Sequence, residues 1–116
     1  MPNSRKIVVG ISGASGSIYG IRLLERLRAL GGVETHLILT RSGERTAYLE
    51  TGKLAAEIRA LADFHYPVED IGASIASGSS PADALVIAPC SIHTMSALAA
   101  GITSNLLIRR SEERRV

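Results

Sequence analysis

Residues 7–20 read IVVGISGASGSIYG, an apolar β-branched run that passes directly into a segment of glycine and serine. Residues 6–12 (KIVVGIS) have the β-branched content and the polar and glycine boundaries of a fully buried strand. From Gly16 the period changes. Ile18, Ile21, Leu24, Leu27 and Leu30 recur at helical spacing among Arg22, Glu25, Arg26 and Arg28, and Gly31-Gly32 supplies the stop. The stretch therefore reads as strand, tight turn and amphipathic helix.

The same alternation continues outward. Residues 34–40 (ETHLILT) form a second strand, residues 42–50 a helix closed by Gly52, and residues 54–61 a further turn or two of helix broken by the sequence FHYP at 64–67. Residues 71–81 (IGASIASGSSP) are small and polar enough to be a loop. Residues 84–88 (ALVIA) read as a third buried strand ended by Pro89, and residues 91–100 as a helix before Gly101. No repeats, linkers or low-complexity tracts interrupt this order. Strands apolar on both faces that alternate with helices predict an α/β fold with a parallel sheet covered on both sides. Ligands of such sheets lie at the carboxyl ends of the strands, near the point where strand order reverses. That singles out residues 12–16, 40–41 and 89–94.

The chain has 116 residues, one domain's worth, and 46% are hydrophobic and 21% charged. With one phenylalanine and three tyrosines its core must be aliphatic. The formal charge of +2 resides in residues 109–116 (RRSEERRV), where four arginines face two glutamates; the preceding residues balance. Without a basic folded face or aromatics for base stacking, nothing points to nucleic acid. A lone cysteine, Cys90, excludes an intramolecular disulfide and fits a reducing compartment. No apolar stretch is long enough to span a bilayer, and the apolar run after Arg5-Lys6 is too short, and broken by Gly10, for a signal peptide. The expectation is a cytoplasmic protein with neither nucleic-acid nor membrane partner.

Gly13 and Gly16 let the backbone turn sharply toward a ligand, and the first free N–H groups of the next helix would cradle a phosphate, with Ser15 and Ser17 adding hydroxyl donors. Equally open is the plainer alternative that these glycines only shape the turn and Ser15 or Ser17 caps the helix. Sharper motifs are missing. The glycines run G-x-x-G-x-x-G, and Thr40-Arg41 stands where a dinucleotide site would place its ribose-binding acid. There is no Gly-Lys-Ser/Thr and no G-x-S-x-G nucleophile frame. The phosphate of a mononucleotide such as FMN fits best.

The second candidate segment is residues 89–94 (PCSIHT). Ser91 is a natural N-cap with Thr94 three residues on, which capping alone would explain. A second anion-friendly helix start beside the first would also suit a flavin, with a phosphate at one end and a polar ring at the other. His36, His65 and Cys90 lie on separate elements without metal-site spacing, so no metal is expected, and His93 reads as a ligand-edge or solvent residue. Cys90 reads as a small buried thiol and Glu50 as a surface carboxylate.

With these segments in view, the chain resembles the flavin prenyltransferase family, the UbiX/Pad type of the flavoprotein superfamily. Four blocks bear the resemblance in order: VGISGASGSIYGIRLL at 9–24, ETHLILT at 34–40, SIASGS at 74–79, and APCSIHT at 88–94 followed by NLLIR at 105–109. It implies a Rossmann-like (flavodoxin-like) three-layer fold, incomplete at the C-terminus, with a flavin-binding domain over 1–108 and a charged truncated tail over 109–116. It implies transfer of a dimethylallyl group from dimethylallyl phosphate to reduced FMN, giving the prenylated cofactor of a UbiD-type decarboxylase, by a homo-oligomer. Carried over by position, Gly13, Ala14, Ser15, Thr40, Ser91, Ile92, His93, Thr94 and Arg109 would bind FMN. Ser15 and Glu50 would be catalytic, Glu50 as an acid, and Ser77 and Gly78 would hold the prenyl phosphate. An inactive FMN-binding module or cofactor carrier, or a flavin-dependent decarboxylase of the same superfamily, are the alternatives. The sequence departs from the family after Arg109, where Glu112 stands in place of a lysine and the second half is missing. An open sheet edge and an uncovered apolar face are the expected consequences.

Overall fold

The β-branched run becomes strand β1 (Arg5–Ile11), and the glycine and serine turn leads into helix α1 (Ser17–Leu30). The computed structural model describes residues 5–68, 82–92 and 95–96. After α1 follow β2 (Val33–Thr40), α2 (Arg41–Thr51), α3 (Ala55–Arg59), β3 (Phe64–Val68) and β4 (Ala84–Ile87). The strands pair in the order β3-β2-β1-β4, every pair parallel. This is the α/β architecture with a parallel sheet that the alternation predicts, and its order is that of one end of a doubly wound sheet.

Local chemistry sets the element ends. Helix α1 stops where Gly31, at φ 76°, donates its N–H to the Leu27 carbonyl. Helix α2 starts directly on β2 because extended Thr40 caps it: its Oγ1 accepts the Gly43 N–H at 2.9 Å. Its far end closes on Gly52, which donates to Tyr48 at 2.9 Å.

Strand register then sorts the side chains into two faces. Val9 lies beside Leu37 and Ile11 beside Leu39, so these four share one face. There they meet Ile21 and Leu24 of α1, Ala47 of α2 and Ile58 of α3 in a single buried cluster. Each large aliphatic side chain buried there contributes about 1.5–3 kcal/mol. An Arg59–Glu44 ion pair ties α3 to α2, and Arg28 Nη1 donates to the Ala60 carbonyl at 2.7 Å, linking α1 to the chain after α3. Gly20 sits at the closest approach of α1 to the sheet. A Cβ there would collide with the Ala88 carbonyl oxygen and lie 2.7 Å from Ile11 Cγ1.

Two expectations change. The FHYP segment does not simply break a helix; it opens β3, paired with residues 36–40 of β2. Phe64 and Tyr66 favour strand, and Pro67, which has no N–H to give, is tolerated because β3 is the outermost described strand. Strand β4 is largely exposed, with Leu85 39% and Val86 37% accessible and only Ile87 half-buried, although its composition reads as fully buried. The three described helices all pack on one sheet face. On the opposite face, beside Val8 and Ile38, the His36 ring stacks on Phe64 (centroids 4.7 Å apart) and on Tyr66 (5.7 Å). The His36 ring nitrogens reach Glu34 Oε1 at 2.6 Å and the Tyr66 hydroxyl at 2.8 Å. The loop expected over 71–81 and the remainder of the helix expected to residue 100 lie outside the described residues. The start of that helix is seen as a Met95 N–H bonded to the Ser91 carbonyl at 2.9 Å.

Candidate functional site

Strand β2 lies on one side of β1 and β4 on the other, so the strand order reverses between β1 and β4. Ser12 leaves the carboxyl end of β1 and Pro89 follows the end of β4, after a cis Ala88–Pro89 peptide. These two exits are bonded together. The Ser12 N–H donates to the Pro89 carbonyl at 3.2 Å, and its hydroxyl donates to the same oxygen at 2.7 Å. The hydroxyl oxygen in turn accepts the Ser91 N–H at 3.1 Å and the Ala14 N–H at 3.4 Å. The two segments singled out from sequence thus meet at the carboxyl ends of β1 and β4, where the ligand crevice of such a sheet lies.

The start of α1 differs from the phosphate cradle expected there. Gly16, at φ 108°, is the N-cap and has no side chain to offer. Neither Ser15 nor Ser17 is the cap that the plainer alternative calls for. Glu50, from the far end of α2, takes that role across space. Its Oε1 accepts the Gly16 and Ser17 N–H groups at 3.0 and 3.1 Å, and its Oε2 accepts the Ser15 hydroxyl at 2.6 Å. The Ser15 hydroxyl first, and then the Ser17 and Gly16 amides, lower the Glu50 pKa from 4.5 to about 2. Glu50 is therefore a carboxylate at neutral pH, occupying with its own charge the position where a ligand anion was expected.

Helix α2 supplies more of this wall. Thr46 Oγ1 donates to the Gly13 carbonyl at 2.8 Å, and Ser42 packs so closely on Gly13 that a Cβ there would lie 2.7 Å from Ser42 Cβ. Ser42, Thr46 and Glu50 recur every four residues, so they form one polar stripe along the helix. That spacing was available in the sequence, and sequence reading passed it over. It singled out Ser12 only as the start of the 12–16 segment, and no local pattern marks its bridging role. Thr40 is buried, its hydroxyl committed to Gly43 and within 3.2 Å of Ser42 Oγ. Past Ser91, Ile92 projects outward, 83% exposed. Cys90 is half-buried rather than buried, with its thiol 3.5 Å from the Ser91 carbonyl oxygen. Among the described residues no group of three His, Cys, Asp or Glu side chains is placed to hold a metal, and no helix is long and apolar enough to cross a membrane. Ser77, Gly78, His93, Thr94 and Arg109 lie outside the described residues.

A parallel sheet with a crevice at its reversal point is the setting of a mononucleotide-binding protein. Residues 1–111 match the family described as Flavoprotein, and the chain belongs to that family. Within it, the chain is similar to the flavin prenyltransferase UbiX of Salmonella typhimurium, 47% identical over 108 residues. That match covers 93% of this chain and 57% of the relative. The UbiX of Thauera aromatica is 50% identical over 107 residues, covering 92% and 55%. The chain thus spans little more than half the length of these relatives. Among solved structures it is similar to a dodecameric FMN-dependent UbiX-like decarboxylase from Escherichia coli O157:H7, with a TM-score of 0.73, 40% identity, and 84% of this chain and 53% of that one covered. AnUbiX (PadA1), solved in complex with FMN and dimethylallyl pyrophosphate, also gives a TM-score of 0.73 at 40% identity, with 85% and 52% covered.

Proposed function

We propose that this chain is the flavin-holding part of a flavin prenyltransferase, which transfers a dimethylallyl group from dimethylallyl phosphate to reduced FMN and works as an assembly of several copies. The observation that carries this reading is the Ser12 bridge, which joins the Ala14–Ser15 bend and the Pro89–Ser91 bend into one crevice at the reversal point of the sheet. The similarity to proteins named flavin prenyltransferase and the structure of a relative with FMN and dimethylallyl pyrophosphate support it. The product would serve a UbiD-type decarboxylase, in the cytoplasm.

The residues present fit FMN once the two ends of the crevice are distinguished. A carboxylate already stands at the start of α1, and a second anion there would be repelled. The flavin phosphate is therefore assigned to the Ser91 bend, to which the family resemblance adds His93, Thr94 and Arg109; Thr40, buried with its hydroxyl given to the α2 cap, lies across β1 on the Gly13 side. Gly13, Ala14, Ser15 and the outward side chain of Ile92 remain for the ring. Ser77 and Gly78 are assigned to the prenyl phosphate.

Reduced FMN supplies the electron-rich ring at which the new carbon bond forms while the allylic carbon–oxygen bond breaks and phosphate departs with the electron pair. Ser15 has its own proton directed to Glu50, so its oxygen lone pairs are left to accept a proton released at the ring. Glu50, a carboxylate at neutral pH, orients the Ser15 hydroxyl through this hydrogen bond, and the catalytic part that the family resemblance implies for it is assigned through that contact.

The test is anaerobic incubation with reduced FMN and dimethylallyl phosphate, followed by mass spectrometry of the flavin. Alkylated flavin is expected, with its formation rate lowered at least about tenfold in Ser15→Ala, within the usual range for losing a proton-transfer group. Bound but unaltered FMN would defeat the transferase reading, and a protein with no affinity for FMN would defeat the flavin site altogether.

A further inference from the structure

We infer that Ser12 is a positioning residue that sets the spacing of the two bends and, through the Ser91 segment, the grip on the phosphate end of the flavin; this rests on the flavin reading above. Ser12 is 2% exposed, so a ligand in the crevice does not touch it. Its hydroxyl is also fully used. A hydroxyl has one proton and two lone pairs, and here the proton goes to Pro89 while the oxygen faces the N–H groups of Ser91 and Ala14. Nothing remains for a ligand, and every partner is backbone of the two bends.

The arrangement is asymmetric in an informative way. The Pro89 carbonyl also receives the Ser12 N–H, so it keeps one donor if the hydroxyl is removed. The Ser91 N–H loses the hydroxyl that receives it. A missing hydroxyl should therefore act on residues 90–92 more than on β1 or β4, whose ladder runs through Gly10 and Ile87 and includes the Ala88 N–H bonded to Gly10. The bridged residues are far apart in the chain, and the sheet alone aligns the strands without fixing the angle at which the chain leaves them.

The experiment compares the full chain with Ser12→Ala and Ser12→Thr, measuring affinity for FMN and for riboflavin by fluorescence quenching, and exchange of the Ser91 amide by NMR. For Ser12→Ala, FMN binding is expected to weaken about tenfold, equivalent to about 1.4 kcal/mol. Riboflavin, which has no phosphate, should change less than threefold, and Ser91 amide exchange should quicken. Threonine, which keeps the hydroxyl, should restore most of the FMN affinity. Equal losses for FMN and riboflavin, or FMN affinity unchanged in a folded alanine variant, would overturn the inference. Should the alanine variant fail to fold, Ser12→Cys, with its weaker donor, is held to the same ratio. If the unsubstituted chain binds neither flavin, the flavin reading fails independently. The amide exchange then decides alone: a quickened Ser91 supports the positioning role and an unchanged one removes it.

Discussion

A carboxylate resting on two helix amides and a serine hydroxyl is an internal substitute for a bound anion, and it makes Glu50 the most consequential single residue in this crevice. Its stabilising effect has a definite pH dependence. The pKa is about 2 in the folded chain against 4.5 as a free side chain, so the contribution is complete above pH 4.5 and is lost as pH falls from there toward 2. The melting temperature of Glu50→Gln should therefore lie below that of the unsubstituted chain by a constant margin at neutral pH, and the two should converge between pH 4.5 and 2 when followed by circular dichroism. A gap that stays undiminished from neutral pH down to pH 2 would show that the charge is not what holds the turn. At this scale the turn at Ser15 and the bend at Ser91 were legible in the sequence, because glycine, serine and proline at a strand end mark where the chain must turn. The partner of Ser15 was not, since Glu50 lies 35 residues further on and reads locally as one more surface acid.

At the scale of elements, α1 and the chain after β4 meet so closely that the helix tolerates only glycine at the contact. Gly20→Ala should cost about 1–3 kcal/mol, read from urea unfolding, because the added methyl meets the Ala88 carbonyl, a backbone atom that cannot swing aside. The same methyl on a solvent-facing helical glycine would stabilise slightly, so the sign of the effect distinguishes a packed helix from a merely amphipathic one. Helix α2 shows why element boundaries and element roles differ in legibility. Its start and its Gly52 end followed from capping chemistry, and the observed Arg41–Thr51 differs by one residue at each end from the expected 42–50. Its function as a polar wall, through Ser42, Thr46 and Glu50, needed the knowledge that this stripe faces the turn at Gly13. Strand β3 was missed for a simpler reason: proline in FHYP signals a break unless the strand is known to be at the edge of the described sheet.

At the scale of the whole molecule, the buried core of the described residues lies on one face of the sheet. Leu37→Ala, on the helix-covered face, should cost about 2–5 kcal/mol. Leu85→Ala, on the opposite and partly exposed face, should cost about 1 kcal/mol or less. Comparable losses at the two sites would show that both faces are equally enclosed. The periodicity of the apolar residues was enough to determine alternating strands and helices, the parallel sheet and the two strand ends that meet at its reversal point, because these depend on short-range pattern and on which faces must leave water. What tertiary structure alone decided was which groups meet at those ends. Glu50 rather than a ligand phosphate occupies the start of α1, and Ser12 rather than the sheet ladder joins the two bends, because hydrogen bonds between residues tens of positions apart exist only once strand order has brought their backbones together.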